Sequence, residues 1–67
     1  MRPEFSKTLK ELRTAKGLTQ KTLAEALQLK AYNIGDWELG RTEPDLNTLT
    51  LIAKFFDVSA DELLGIK

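Results

Sequence analysis

The sequence contains no cysteine, so it has no disulfide framework and no thiolate metal site. Histidine is missing too, which removes the commonest metal ligand and the usual general base near neutral pH. No apolar run is long enough to span a bilayer, and the amino-terminal MRPEFSKTLK lacks the apolar segment of a secretory signal. There is no strand-like alternation, no internal repeat and no low-complexity tract. These absences leave a soluble intracellular protein with no cofactor and no membrane association as the expectation. The carboxylate pairs at hand, Asp61-Glu62 and Asp36-Glu38, fall at helix-cap and surface positions with no nucleophile beside them, so an enzyme is not expected.

What is present is a chain of 67 residues, one small domain. At that size folding buries only about 60% of the extended chain's surface, so a well-packed core is needed. Formal net charge is zero and the isoelectric point is near 6.2, an unpromising total for a partner of nucleic acid. The distribution is less neutral. Residues 1–41 carry eight basic against five acidic side chains, and residues 42–67 carry two against five. A chain polarised in this way can offer one positive side to a polyanion.

The helical period recurs along the whole chain, broken by good stop signals. Phe5, Leu9 and Leu12 share a face, and Gly17 fits a left-handed cap. Thr19 can cap a second helix with Leu23, Ala24 and Leu27 inward. A turn at Gln28-Leu29-Lys30 leads into a third, in which Ile34 and Trp37 face inward. Gly40 and Glu43-Pro44 mark a longer loop. Asp45 caps a fourth helix striped by Leu49, Ile52, Ala53 and Phe56, and Ser59 to Glu62 reads as a capping box opening a fifth. The expected fold is all-α, with five short helices at about residues 4–16, 20–27, 31–38, 46–56 and 60–64. Its expected core is Leu9, Leu12, Leu18, Leu23, Leu27, Ile34, Trp37, Leu49, Ile52, Phe56, Val58 and Leu63.

The second and third helices, joined by a few residues and each apolar on its inner side, fit a helix-turn-helix. A helix is about the right width to enter the major groove of DNA, where each base pair shows a distinct donor and acceptor pattern. The segment LTQKTLAEALQLKAYNIGDWELGRTEPDLNTL closely resembles the lambda-repressor-like helix-turn-helix domains of the Cro and phage-repressor class, also called the XRE family. The likeness runs from Phe5 through Leu64. It is carried by Leu12-Arg13, Gly17-Leu18-Thr19-Gln20, Leu23-Ala24-Glu25, Ile34, Trp37-Glu38, Gly40, Arg41, Pro44 and the closing FDVSADELL.

The resemblance implies sequence-specific binding of double-stranded DNA by a cytoplasmic regulator of transcription, bacterial or phage-encoded, nucleoid-associated when bound and expected to be a repressor. It places Ala31, Tyr32, Asn33, Gly35 and Asp36 near base edges, and Thr19, Gln20, Lys21, Lys30 and Arg41 near the DNA backbone. Arg13 and Glu38 look like the family's structural ion pair. With Ile34 taken as inward at 100° per residue, Tyr32 and Asp36 point nearly opposite, flanked by Asn33 and Gly35. Ala31 can offer a methyl contact to thymine, Asn33 can donate to and accept from adenine, and Asp36 can accept from cytosine. Gly35, at about 1 kcal/mol of helix propensity, lets the backbone come close to the groove.

Three departures from the family pattern stand out. The turn usually carries glycine where Gln28 stands, so Gln28 must be strained or the turn must differ. Lys30 replaces a serine-type cap, leaving the third helix without a side-chain acceptor at its start. Glu43 and Asp45 occupy a loop that is basic in some relatives, which weakens that part of the footprint.

Apolar Leu51 and Phe55 point away from the fourth helix's stripe, and Leu64 and Ile66 lie near the end. They suggest a weak homodimer through helix five on a palindromic operator, with half-sites roughly 34 Å apart. The rival reading is a protein-interaction or antitoxin-like module that keeps the fold and recognises a protein, which neutral charge and Asp36 favour.

Overall fold

The computed structural model describes residues 3–66; Arg2 and Lys67, counted in the charge above, lie outside them. Five helices make up its regular structure: α1 Pro3–Ala15, α2 Gln20–Leu27, α3 Ala31–Leu39, α4 Leu46–Phe56 and α5 Ala60–Leu64. No strand occurs among the described residues. Helix α2 packs chiefly on α3, while α1 lies against both α3 and α5.

Each boundary has a local cause. Helix α1 stops at Ala15 because Gly17 turns left-handed at φ 70° and lets the Leu18 N–H donate to the Arg13 carbonyl at 3.1 Å. Two threonines open α2 reciprocally: Thr19 Oγ1 accepts the Thr22 N–H at 3.0 Å, and Thr22 Oγ1 accepts the Thr19 N–H at 2.8 Å. At α5 only the forward half of the expected box forms, with Ser59 Oγ accepting the Glu62 N–H at 3.0 Å.

An Asp45 oxygen accepts the Thr48 N–H at 2.8 Å to open α4. That backbone hydrogen bond holds the Asp45 carboxyl below its ordinary range. A group depressed on folding adds stability above its unfolded pKa and loses it as pH falls through the folded value. Acid titration followed by circular dichroism is therefore expected to cost Asp45→Asn less stability than the parent chain.

Gln28 takes the strained alternative. It sits left-handed at φ 59° and ψ 41° as the carboxyl cap of α2, and the Leu29 N–H donates to the Ala24 carbonyl at 2.7 Å. A side chain other than glycine costs about 1–2 kcal/mol in that region. Gln28→Gly is expected to stabilise the fold by about 1 kcal/mol, or ~5 °C in melting temperature. An unchanged melt would mean that the turn is not left-handed.

The core draws on all five helices: Phe5 and Leu9, then Leu23, Ala24 and Leu27, then Ile34 and Trp37, then Ile52, Ala53 and Phe56, and Leu63. This corrects the sequence reading at both ends. Leu12, Leu18, Leu49 and Val58, expected inside, are half-buried and pack against the core's margin. Leu18 and Val58 belong to connections, and so small a globule covers its edge residues from one side only. Phe5, Ala24 and Ala53, which the periodicity set on inward faces and the core list left out, belong to the interior, where a larger side chain at either alanine would crowd its neighbours.

Candidate nucleic-acid interface

The unit of interest is α2, its turn and α3. Two apolar anchors set the rotation of α3: Ile34 is wholly buried and Trp37 nearly so. Because α3 turns about 100° per residue, the side opposite them is left outward. There Tyr32 is 68% exposed, the arrangement needed if its phenol is to touch anything outside the protein.

The carboxyl end of α3 is tied down from two other helices. Arg13 Nε donates to Glu38 Oε2 at 2.7 Å and its Nη2 to Oε1 at 3.0 Å, a two-pronged pair, while its Nη1 donates to the Leu18 carbonyl at 2.8 Å. The Arg13 and Glu38 side chains are only 11% and 5% exposed. Hydrogen bonding to Glu38 raises the Arg13 pKa further above its already high ordinary value, outweighing the opposing effect of burial. Gln20 Nε2 adds a third donor to the same carboxylate, reaching Oε1 at 3.1 Å from the first turn of α2. Ser6 Oγ donates to the Trp37 carbonyl at 2.7 Å and fastens α1 to the same place. Sequence reasoning missed Ser6, whose residue type carries no signal for this contact.

Two residues of α3 turn out to serve the protein's own geometry. A Cβ added at Gly35 would lie 3.2 Å from Gln20 Oε1, so the missing side chain makes room for glutamine on α2. That neighbour is internal, whereas the sequence reading assigned the glycine to an approach by DNA. Gly35→Ala is expected to stabilise the fold by less than the ~1 kcal/mol of its helix propensity, and to recover the shortfall in a Gln20→Ala background. Melting the four variants tests this; strict additivity would contradict the crowding.

Asn33, the second case, ties down the backbone just ahead of α3. Its Oδ1 accepts the Lys30 N–H at 3.1 Å, and since an ammonium has no lone pair to offer, only this backward half of a capping box exists. As expected, no side chain at the N-cap accepts from the first N–H groups of α3 itself.

The other site residues are placed as follows. Ala31, Lys30, Lys21 and Thr19 are exposed, Thr19 with its hydroxyl engaged in the cap. Asn33, Gly35, Asp36 and Gln20 are partly covered. Arg41 follows the left-handed Gly40 (φ 77°), and its N–H donates to the Asp36 carbonyl at 2.9 Å.

The proposed dimer patch is smaller than expected. Leu51 and Ile66 are exposed, but Phe55 and Leu64 are half-buried against the core. Phe55 stands edge-on to Phe56 with ring centres 5.0 Å apart, and Lys16 Nζ lies 5.9 Å from its ring centre. Leu39 and Leu46, which the periodicity did not single out, are 68% and 81% exposed. Among the described residues no cluster of acidic side chains could hold a metal, and no helix is long and apolar enough to cross a membrane.

A helix-turn-helix family model matches residues 9–63. The chain is 48% identical over 62 residues to the HTH-type transcriptional activator BcrR of Enterococcus faecalis, an alignment covering 92% of this chain and 30% of that protein. It is 41% identical over 61 residues to the HTH-type transcriptional regulator ImmR of Bacillus subtilis, covering 91% of this chain and 48% of the other. The chain thus spans about half the length, or less, of these two curated relatives. Among solved structures, the restriction-modification controller protein C.AhdI of Aeromonas hydrophila superposes with a TM-score of 0.81 at 38% identity, covering 91% of this chain and 92% of that one. A transcriptional regulator from Listeria innocua does so with a TM-score of 0.89 at 30% identity, over all of this chain and 63% of the other. With the two-helix unit, its anchors and the Arg13–Glu38 tie already in place, these matches mean that the chain belongs to the Cro/C1-type, or XRE, helix-turn-helix family.

Proposed function

We propose that this chain binds double-stranded DNA sequence-specifically and regulates transcription, with α3 lying in the major groove. The observation that carries the reading is the rotation of α3, in which buried Ile34 and Trp37 leave Tyr32 projecting from the opposite side. Tyr32 and Ala31 meet base edges, with Asn33, Gly35 and Asp36 beside them. The backbone on either side is held by Thr19, Gln20, Lys21, Lys30 and Arg41. Gln20 does so with whatever its tie to Glu38 leaves over, so it positions α3 as much as it touches DNA. The relatives' names, an activator and other transcriptional regulators, support the class; repression is the direction we assign, in the cytoplasm, through a palindromic operator.

Two copies on that operator associate weakly through α5 and Ile66, with Leu51 nearby. Sedimentation showing monomer at high concentration, together with one-to-one binding to a palindrome, would remove the dimer and leave the DNA reading intact.

Selection of bound duplexes from a random pool, followed by a salt titration, tests the function. If Lys21 and Lys30 each neutralise a phosphate, affinity per copy should fall roughly 12-fold between 50 and 200 mM salt. Binding that recovers no shared motif and ignores salt would overturn this reading in favour of a protein partner.

A further inference from the structure

Resting on the DNA-binding reading, we propose that Asp36 and Arg41 act as one unit that reads a cytosine. The Asp36 carboxylate accepts the exocyclic N4 amino group in the major groove, and the Arg41 guanidinium offsets its charge so that it can lie among phosphates.

Position comes first. Asp36 stands one turn beyond exposed Tyr32, on the side of α3 opposite Ile34. Its Oδ1 is 3.9 Å from Arg41 Nη1, with the two side chains 35% and 71% exposed, so the carboxylate is partly sheltered and the guanidinium faces outward. Arg41 does not reach this place by chance of rotamer alone. Left-handed Gly40 closes α3 so that the Arg41 N–H donates to the carbonyl of Asp36 itself. The backbone closure therefore holds Arg41 where its guanidinium can lie beside the carboxylate.

Electrostatics explains why the two belong together. A lone carboxylate entering a groove is repelled by the flanking phosphates. Beside a guanidinium that repulsion is reduced, while the ion pair, loose and solvated, leaves the carboxylate's lone pairs able to accept from a base. Only cytosine N4 and adenine N6 donate in the major groove. Adenine sets its donor beside the N7 acceptor, which meets an ionised carboxylate lone pair against lone pair, so cytosine is the better match.

The test is duplex selection with the intact chain and with Asp36→Ala, Asp36→Asn and Arg41→Ala, followed by affinities at fixed salt. The parent chain is expected to enrich a cytosine at one position of the half-site, and replacing that cytosine should weaken its binding roughly tenfold. Asp36→Ala should lose this preference and keep the rest of the motif. Asp36→Asn should shift it to adenine, whose donor and acceptor an amide can satisfy together. Arg41→Ala should weaken binding by a larger factor when Asp36 is present than in the Asp36→Ala background. An unchanged motif in Asp36→Ala, with every duplex bound tighter by one factor, would overturn the proposal while leaving DNA recognition standing. Equal losses for Arg41→Ala in the two backgrounds would overturn the coupling. A parent chain that enriches no motif would bring down both the proposal and the reading beneath it.

Discussion

Arg13→Ala is expected to destabilise the fold by about 3 kcal/mol, on the order of 15 °C in melting temperature. Its guanidinium makes three hydrogen bonds, two to Glu38 and one to the Leu18 carbonyl. Removing it strands a carboxylate that is 5% exposed, and a buried charge without a partner is a larger penalty than the pair was a gain. Gln20 Nε2 still donates to Glu38, so the loss belongs to the lower part of the range for a buried pair. Arg13→Lys should fall between, because an ammonium keeps the charge and loses the two-pronged fit. Lys10, exposed on the same helix, is the control: Lys10→Ala should stay within about 0.5 kcal/mol of the parent. Equal melting temperatures for Arg13→Ala and Lys10→Ala would refute the energetic role given to the pair.

The second large effect concerns the anchor of α3. Trp37→Ala removes a nearly buried indole and leaves a cavity in a core to which every helix contributes, at about 3–5 kcal/mol. A chain of this size is stable by roughly 3–10 kcal/mol in all, so a substantial unfolded population is expected at room temperature. Trp37→Phe should lose much less, since most of the ring volume remains. Tyr32→Ala, five positions earlier on the exposed side, should leave the melt alone and weaken binding to a selected operator. Far-ultraviolet circular dichroism and an operator titration separate the two outcomes. If Trp37→Ala folded normally, or Tyr32→Ala unfolded, the rotation of α3 would be other than described.

Much of this could be read from residue order. Apolar spacing and the caps at Thr19, Asp45 and Ser59 located the helices, because those signals act within one turn of the chain. Gln28 at a position that wants glycine left two alternatives, strain or a different turn, and the backbone takes the first. What could not be read is whatever lies across from a residue. Periodicity gives the direction in which Leu12, Leu49 or Phe55 points, and says nothing of how many neighbours wait there, so the first two were put too deep and the third too far out. The room Gly35 leaves is taken up by Gln20, fifteen positions away on another helix. Asn33 was read as a candidate for a base edge, and its hold on the Lys30 N–H shows only when the Lys30 backbone is placed. Ser6 reaches a backbone carbonyl on α3, which no side-chain pattern advertises.

Charges sheltered to the degree of Arg13 and Glu38 are poorly screened by dissolved ions, whereas Lys21, Lys30 and Arg41 stand in solvent. Raising ionic strength should therefore loosen the chain's hold on a polyanion long before it disturbs the helices. Elution from DNA by brine ought to return protein that is still folded and ready to bind again.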